Sequence, residues 1–355
     1  MQLLSVSIIA ASSGFVSLAT MSTYLFIAGL VTVIGMTGVY FWYTLGSARL
    51  AKRLAIERVR SQSASRGKSN KASKMADAGG GVSTLVRSDV VTHEQPDGEK
   101  PIALNRNLIL MGRIGTTLGW LTVFVLFLSQ LFRAIEEQHA PWSNLFEFSV
   151  SFTVALLLCY LIFEARFHER VRAWGVYISA FAVVTLGLAI LIGTTYDLVN
   201  SSTALIPALQ DKPILLIHVS MAIFAYALFS VAFGAAVIVL VQGGEGQRIS
   251  WLPSAEAADE LGYKAVIFGF PLLALTLILG AYWANYAWGS YWSWDPKETS
   301  ALVTWLIYAV YLHARGIRGW HGKKTGWLLV IGFAATLFTY YGVSFFVPSL
   351  HSYAK

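Results

Sequence analysis

The chain has 355 residues, of which 56% are hydrophobic, 14% aromatic and only 13% charged. Its mean hydropathy of +0.60 excludes an ordinary soluble domain and places it among integral membrane proteins. The net charge of +7 calls for no nucleic-acid partner, because the basic residues gather where the positive-inside rule puts cytoplasmic segments.

Residues 1–20 are apolar but lack a basic leader, so they are read as an outer segment or an extension of the first span and not as a cleaved signal. A bilayer core of about 30 Å needs about 20 apolar residues in helix. Stretches of that kind recur at 22–45, 108–132, 148–166, 174–194, 214–241, 264–282, 299–316 and 326–347. The expected fold is all-α, an integral membrane protein of about eight transmembrane helices. With the N-terminus outside, 22 of the 26 lysines and arginines fall on the inner side, and only Arg133, Lys212, Lys297 and Lys355 remain outside. That asymmetry predicts an N-out, C-out chain. Three regions follow: 1–46, an outer N-terminal segment with the first transmembrane helix; 47–107, a polar loop; and 108–355, a seven-helix domain. Within the loop, "RSQSASRGKSNKASKMADAGGGVSTLVRSDVVTHEQPDGEK" is rich in Ser, Gly, Lys and Ala and nearly free of aromatics. Such a composition predicts a disordered cytoplasmic insert, read as a passive linker in preference to a docking site. The single cysteine, Cys159, lies in an apolar run and leaves no disulfide or Cys-x-x-Cys couple.

Between the sixth and seventh spans, on the expected outer side, the loop 283–299 reads "WANYAWGSYWSWDPKET". An aromatic belt at headgroup level accounts for one or two such residues, but not for Trp283, Tyr286, Trp288, Tyr291, Trp292 and Trp294 together. Asp295, Pro296 and Glu298 suit an N-cap, a first helical position and a capping-box partner, so the charges start the seventh helix. Its positive end would then favour an anionic group lying against the aromatic rings. A planar apolar ligand with carboxylates at one edge, haem above all, fits both halves of the motif.

Of seven histidines, His93, His168 and His321 fall in polar cytoplasmic segments and are expected to be solvated. His139 lies in the first outer loop. His218, about five residues or ~8 Å into the fifth span, and His351, just beyond the eighth, share the level of the tryptophans, and paired neutral imidazoles hold haem iron. His313 lies about 14 residues, or ~21 Å, down the seventh helix. There it is either a functional intramembrane group or a histidine snorkelling beside Arg315, and as a ligand it would need a partner from another subunit.

With "SALVTWLIYAVYLHARGIRGW", "HAPWSNLFEF", "PALQDKPILLIHVSMAIFAYAL" and "GVSFFVPSLHSYA", the loop resembles the tryptophan-rich WWD signature of haem-handling proteins, in the CcsA (ResC) branch of cytochrome c biogenesis. The likeness covers most of the chain after the insert and favours that branch over CcmC and CcmF. It implies export of haem b, as transported substrate, to the outer face of the membrane and attachment to Cys-x-x-Cys-His motifs of apocytochrome c. It also implies a CcsB/ResB-like membrane partner, and residence in the plasma membrane, or the thylakoid membrane if the host has one. The implied iron ligands are His218 and His351 at the outer site and His313 within the membrane, the last matched by a partner histidine. The shelf residues Trp283, Trp288, Trp292 and Trp294, with Asp295, are implied haem contacts. The insert at 61–106 exceeds the shorter link of the family, and His139, within the outer-loop block, receives no ligand role and is read as shaping the apocytochrome entrance. An electron-transferring cytochrome b and a transporter of another amphipathic substrate stand as alternatives, though neither explains the acid pair beside outer histidines.

Overall fold

The computed structural model describes residues 17–77, 106–167, 169–198, 213–249 and 252–351. Among these, eight long helices follow in order: α1, Leu18–Asp77; α2, Arg106–Glu137; α3, Leu145–Phe167; α4, Gly175–Thr195; α5, Pro213–Gln242; α6, Ala255–Trp288; α7, Pro296–Arg318; and α8, Lys323–Leu337. A single turn, Glu169–Arg172, links α3 to α4. Beyond α8, the chain stays helical through a π-turn, Phe338–Gly342, and a last turn, Val343–Phe346. Each expected span falls on one of these helices, and no strand occurs among the described residues.

Seven of the helices are long and apolar enough to cross a bilayer. The remaining one, α7, is less apolar because its inward face carries Thr304, Tyr308, Tyr311 and Arg315, all buried, while Val303, Leu306, Val310 and Ile317 are exposed. An apolar stripe turned outward is the reverse of a soluble amphipathic helix and suits a surface solvated by lipid. The same holds for Ile27, Val31 and Ile34 on α1 and Phe124 and Phe127 on α2, all exposed.

Two boundaries differ from expectation. The polar stretch 47–107 was read as a loop, with disorder expected from Arg60 onward, yet α1 continues to Asp77. Lys52, Arg53, Ala55 and Glu57 are good helix formers, and they sustain the helix where low hydrophobicity alone suggests disorder. The rest of the insert, 78–105, together with residues 1–16, His93 and His168, lies outside the described residues. The first residues of the expected loop 283–299 are also helical: α6 runs through Trp288 and stops at Gly289, whose φ of 76° is the left-handed C-cap that glycine adopts without a Cβ clash.

Helices α1 and α2 form an antiparallel pair held by small residues. Ser22 Oγ donates to Ser129 O at 2.9 Å, Thr122 Oγ1 donates to Thr32 Oγ1 at 2.9 Å, and Tyr40 packs where Gly115 has no side chain. Close backbone approach of this kind replaces the hydrophobic drive that lipid does not provide. Helices α5 and α6 form a second pair, against which α7 and α8 pack, and α3 joins the two halves through contacts with α2, α4 and α5. At one end of the bundle, buried ions lock the links: Glu164 accepts from Tyr40 at 2.6 Å and Arg172 at 2.9 Å, and Asp259 accepts from Thr325 at 2.9 Å and pairs with Arg315. His321, expected to be solvated, is largely exposed but brings Nδ1 within 3.3 Å of Asp259. At the opposite end, the links after α2, α6 and the C-terminal turn meet the start of α5.

Candidate functional site

The sequence features of that opposite end assemble in the order the backbone dictates. Asp295 caps α7, accepting from Lys297 N–H at 2.9 Å through Oδ1, while Glu298 accepts from Asp295 N–H at 3.2 Å and from Ser293 N–H at 2.9 Å. The capping box read in the sequence is therefore formed, and it ties the tryptophan loop to the helix start. Trp294, just before the cap, has φ of 57°, an uncommon conformation for a bulky residue. Its ring is 71% exposed and faces away from the interior.

Asp295 has a second role that the sequence does not announce. Its Oδ2 accepts from Leu350 N–H at 2.7 Å, and its Oδ1 accepts from His351 Nδ1–H at 2.9 Å. The carboxylate thus clasps the C-terminal segment to the start of α7. Burial works against its charge, but the bonds from His351, Leu350 and Lys297 prevail and bring its pKa down to about 2. His351 titrates below the ordinary imidazole value, chiefly because burial disfavours its cation, with Asp295 opposing.

His218, on the second turn of α5, makes the matching arrangement across to α6, where its Nδ1–H donates to Thr276 O at 2.8 Å. Thr276 O and the Asp295 carboxylate can only accept. Both imidazoles therefore carry the proton on Nδ1 and the lone pair on Nε2, the tautomer set in histidine ligands by an outer acceptor. Gly280 makes room for the ring: a Cβ there would stand 2.7 Å from His218 Cε1.

Trp283 neighbours both histidines. It is 2% exposed, nearly parallel to His218 with ring centres 6.4 Å apart, and 6.0 Å from His351. Trp288 meets His351 edge-on at 4.8 Å and Trp283 at 4.8 Å, so it braces both. His218, His351, Trp283 and Trp292 all line one cavity of about 670 Å³, within the range of small-molecule sites. Trp288 supports this cavity from behind, and Trp294 touches Trp292 edge-on from outside. His313 is not part of it: the residue is exposed on α7, well down the helix.

Three wall components received no ligand role from the sequence. His139 lines the cavity, with Nδ1 2.9 Å from Ala140 O and Nε2 3.3 Å from Glu137. Arg133 joins Glu137 at 2.8 Å to the buried Glu147 at 2.7 Å, so the cluster Glu137, His139 and Glu147, close enough to hold a metal ion, already has a cation between its carboxylates. Lys297 and Tyr340 form another wall, with Lys297 Nζ 5.7 Å from the ring centre of Tyr340. The π-turn places Tyr340 there, as such turns often do near functional sites. The only sequence signal for these residues was their place in or beside the blocks of the outer end.

The fold and site define a helical membrane protein with an indole- and imidazole-lined cavity at one end of its bundle. Comparison with known proteins specifies the class. The family described as "Cytochrome C assembly protein" matches residues 142–351. The chain is 33% identical over 272 residues to the cytochrome c biogenesis protein CcsA of Guillardia theta, covering 70% of this chain and 87% of that protein. It is 35% identical over 260 residues to CcsA of Synechococcus sp. (strain CC9605), covering 64% and 83%, and 34% identical over 266 residues to CcsA of Chlamydomonas reinhardtii, covering 72% of each. The chain belongs to the cytochrome c assembly protein family, in its CcsA branch, and has a role in cytochrome c biogenesis. The matched region contains His218, the tryptophan loop, His313 and His351.

Proposed function

We propose that the cavity receives haem b as a transported substrate, holds its iron between His218 and His351, and presents it to apocytochrome c for covalent attachment. The observation that carries this reading is that each cavity histidine turns Nδ1 to an oxygen that can only accept, Thr276 O for His218 and the Asp295 carboxylate for His351. With Nδ1 so engaged, Nε2 carries the lone pair and is the nitrogen that ligates in this proposal. Trp283 and Trp292 supply flat faces for the ring, and the chain contributes binding and orientation, not a nucleophile. Attachment adds each substrate thiol across a vinyl group: a carbon–sulfur bond forms at the ring-proximal carbon, and the thiol proton ends on the terminal one. In this proposal the cavity faces the outer side of the membrane, as the lysine and arginine distribution predicts, and a CcsB/ResB-like protein completes the synthase. The exposed position of His313 suits a ligand that meets a histidine of such a partner in the membrane.

The test is cytochrome c maturation in cells carrying single substitutions. His218→Ala and His351→Ala are each expected to abolish it, and normal maturation in both refutes the ligand assignment. His313→Ala is expected to lower haem that co-purifies with the partner complex. Unchanged loading would return His313 to the snorkelling reading.

A further inference from the structure

The cavity holds a cation whose counter-ion the described residues do not supply. Lys297 is the second residue of α7, and sequence alone gives it no task there. Both the helix dipole and burial disfavour an ammonium at that place. Its side chain nevertheless turns into the cavity over Tyr340.

The carboxylates nearby are committed elsewhere. Glu137 pairs with Arg133 at 2.8 Å and approaches His139 at 3.3 Å. Glu298 accepts from the backbone of Ser293 and Asp295. The two oxygens of Asp295 receive His351, Leu350 and Lys297 N–H groups. Among the described residues, no carboxylate lies within ion-pair distance of the Lys297 ammonium. A second orphan stands in the same wall: the Tyr340 hydroxyl, on a side chain 9% exposed, is buried and makes no hydrogen bond. Buried polar groups without partners are uncommon and point to a missing ligand or water. Two such donors in a cavity that also presents Trp283, Trp292, Phe148 and Leu216 select a largely apolar ligand with an anionic edge.

We propose that Lys297, assisted by the Tyr340 hydroxyl, binds a carboxylate of the ligand, namely one propionate of haem. This rests on the haem reading above and extends it from iron ligation to ring orientation. With a propionate fixed at the start of α7, the edge bearing the vinyl groups is directed away from that wall, so Lys297 decides which edge an incoming thiol meets. Lys297 is a positioning residue: it touches the substrate but not the reacting atoms.

The experiment titrates the purified full chain with haem, haem dimethyl ester and metal-free protoporphyrin IX. Esterification is expected to weaken wild-type binding at least tenfold. Lys297→Met should weaken haem and protoporphyrin IX to a similar degree and no longer distinguish acid from ester; Lys297→Arg should restore part of the preference and Tyr340→Phe should lose part of it. If Lys297→Met discriminates acid from ester as strongly as the wild type, the assignment is overturned. If wild-type affinity is insensitive to esterification, it is overturned as well, and an anionic lipid headgroup becomes the partner of Lys297. Protoporphyrin IX separates the two readings, because it has carboxylates but no iron. Failure of the haem reading appears as unchanged haem binding in His218→Ala and His351→Ala, whereas failure of the present one appears in the acid-against-ester comparison of the wild type and the Lys297 series.

Discussion

Replacing Asp295 with Asn separates the two tasks of that carboxylate. As an N-cap, Asn serves about as well as Asp, so α7 should still start at Pro296. The clasp on the C-terminal segment is different. Three N–H donors converge on the carboxylate, His351 and Lys297 at 2.9 Å on one oxygen and Leu350 at 2.7 Å on the other. An amide offers one oxygen and an NH2 group, so in either orientation at least one donor faces another donor. A hydrogen bond to a charged group contributes about 1.5–3 kcal/mol, and an unsatisfied buried donor costs about 1–3 kcal/mol. A loss of about 3 kcal/mol in the clasp corresponds to a roughly hundredfold weaker hold on His351. Haem titration of the full chain should therefore show about a hundredfold loss of affinity and a shift from a low-spin, doubly imidazole-ligated spectrum toward a high-spin one, with helical content unchanged by circular dichroism. Wild-type affinity and a low-spin spectrum in Asp295→Asn would refute the view that this carboxylate positions His351.

Gly280→Ala should displace the His218 ring, since the new Cβ would lie 2.7 Å from Cε1 and 3.1 Å from Nδ1; loss of the bond to Thr276 is expected to lower haem affinity about tenfold, the effect of roughly one hydrogen bond, read by the same titration. Acidification should spare the site at first. The pKa of Asp295 falls from 3.8 unfolded to about 2 folded, so its stabilising contribution is complete above pH 3.8 and is lost as the pH falls through 2. His351 is also lowered from 6.5, so its contribution is complete above pH 6.5 and is lost as the pH falls from there toward its folded value; the low-spin spectrum should persist to a lower pH than an unperturbed imidazole would allow. Trp283→Leu, at a side chain 2% exposed, should lower thermal stability by about 2–4 kcal/mol through the cavity it opens, whereas Trp294→Leu, at 71% exposure, should stay within about 0.5 kcal/mol.

The sequence made most of the architecture legible because long apolar runs have one solution in a bilayer. All eight spans fell on helices, and the capping box at Asp295 and Glu298 formed as its residue types require. His218 and His351 could be placed at one level because both flank span ends on the same side. Less was legible where side-chain direction decides. Loop residues have no helical period, so nothing distinguished Trp292, which lines the cavity, from Trp294, which points outward. Trp288 proved to be a brace instead of a floor because α6 carries it past the expected helix end. The inward turn of Lys297 depends on Tyr340, 43 positions later in the chain and aimed by a π-turn that composition does not announce. The helical start of the insert was hidden by its polarity, since the same Lys, Glu and Ala residues serve both disorder and exposed helix.

The central claim is that His218 and His351 hold one iron between them. The most direct measurement is the visible absorption spectrum of the purified full chain loaded with haem, oxidised and reduced, for the wild type and for His218→Ala and His351→Ala. The account predicts a low-spin bis-imidazole spectrum that each substitution abolishes and that added imidazole restores. A low-spin spectrum unchanged in either variant would contradict it.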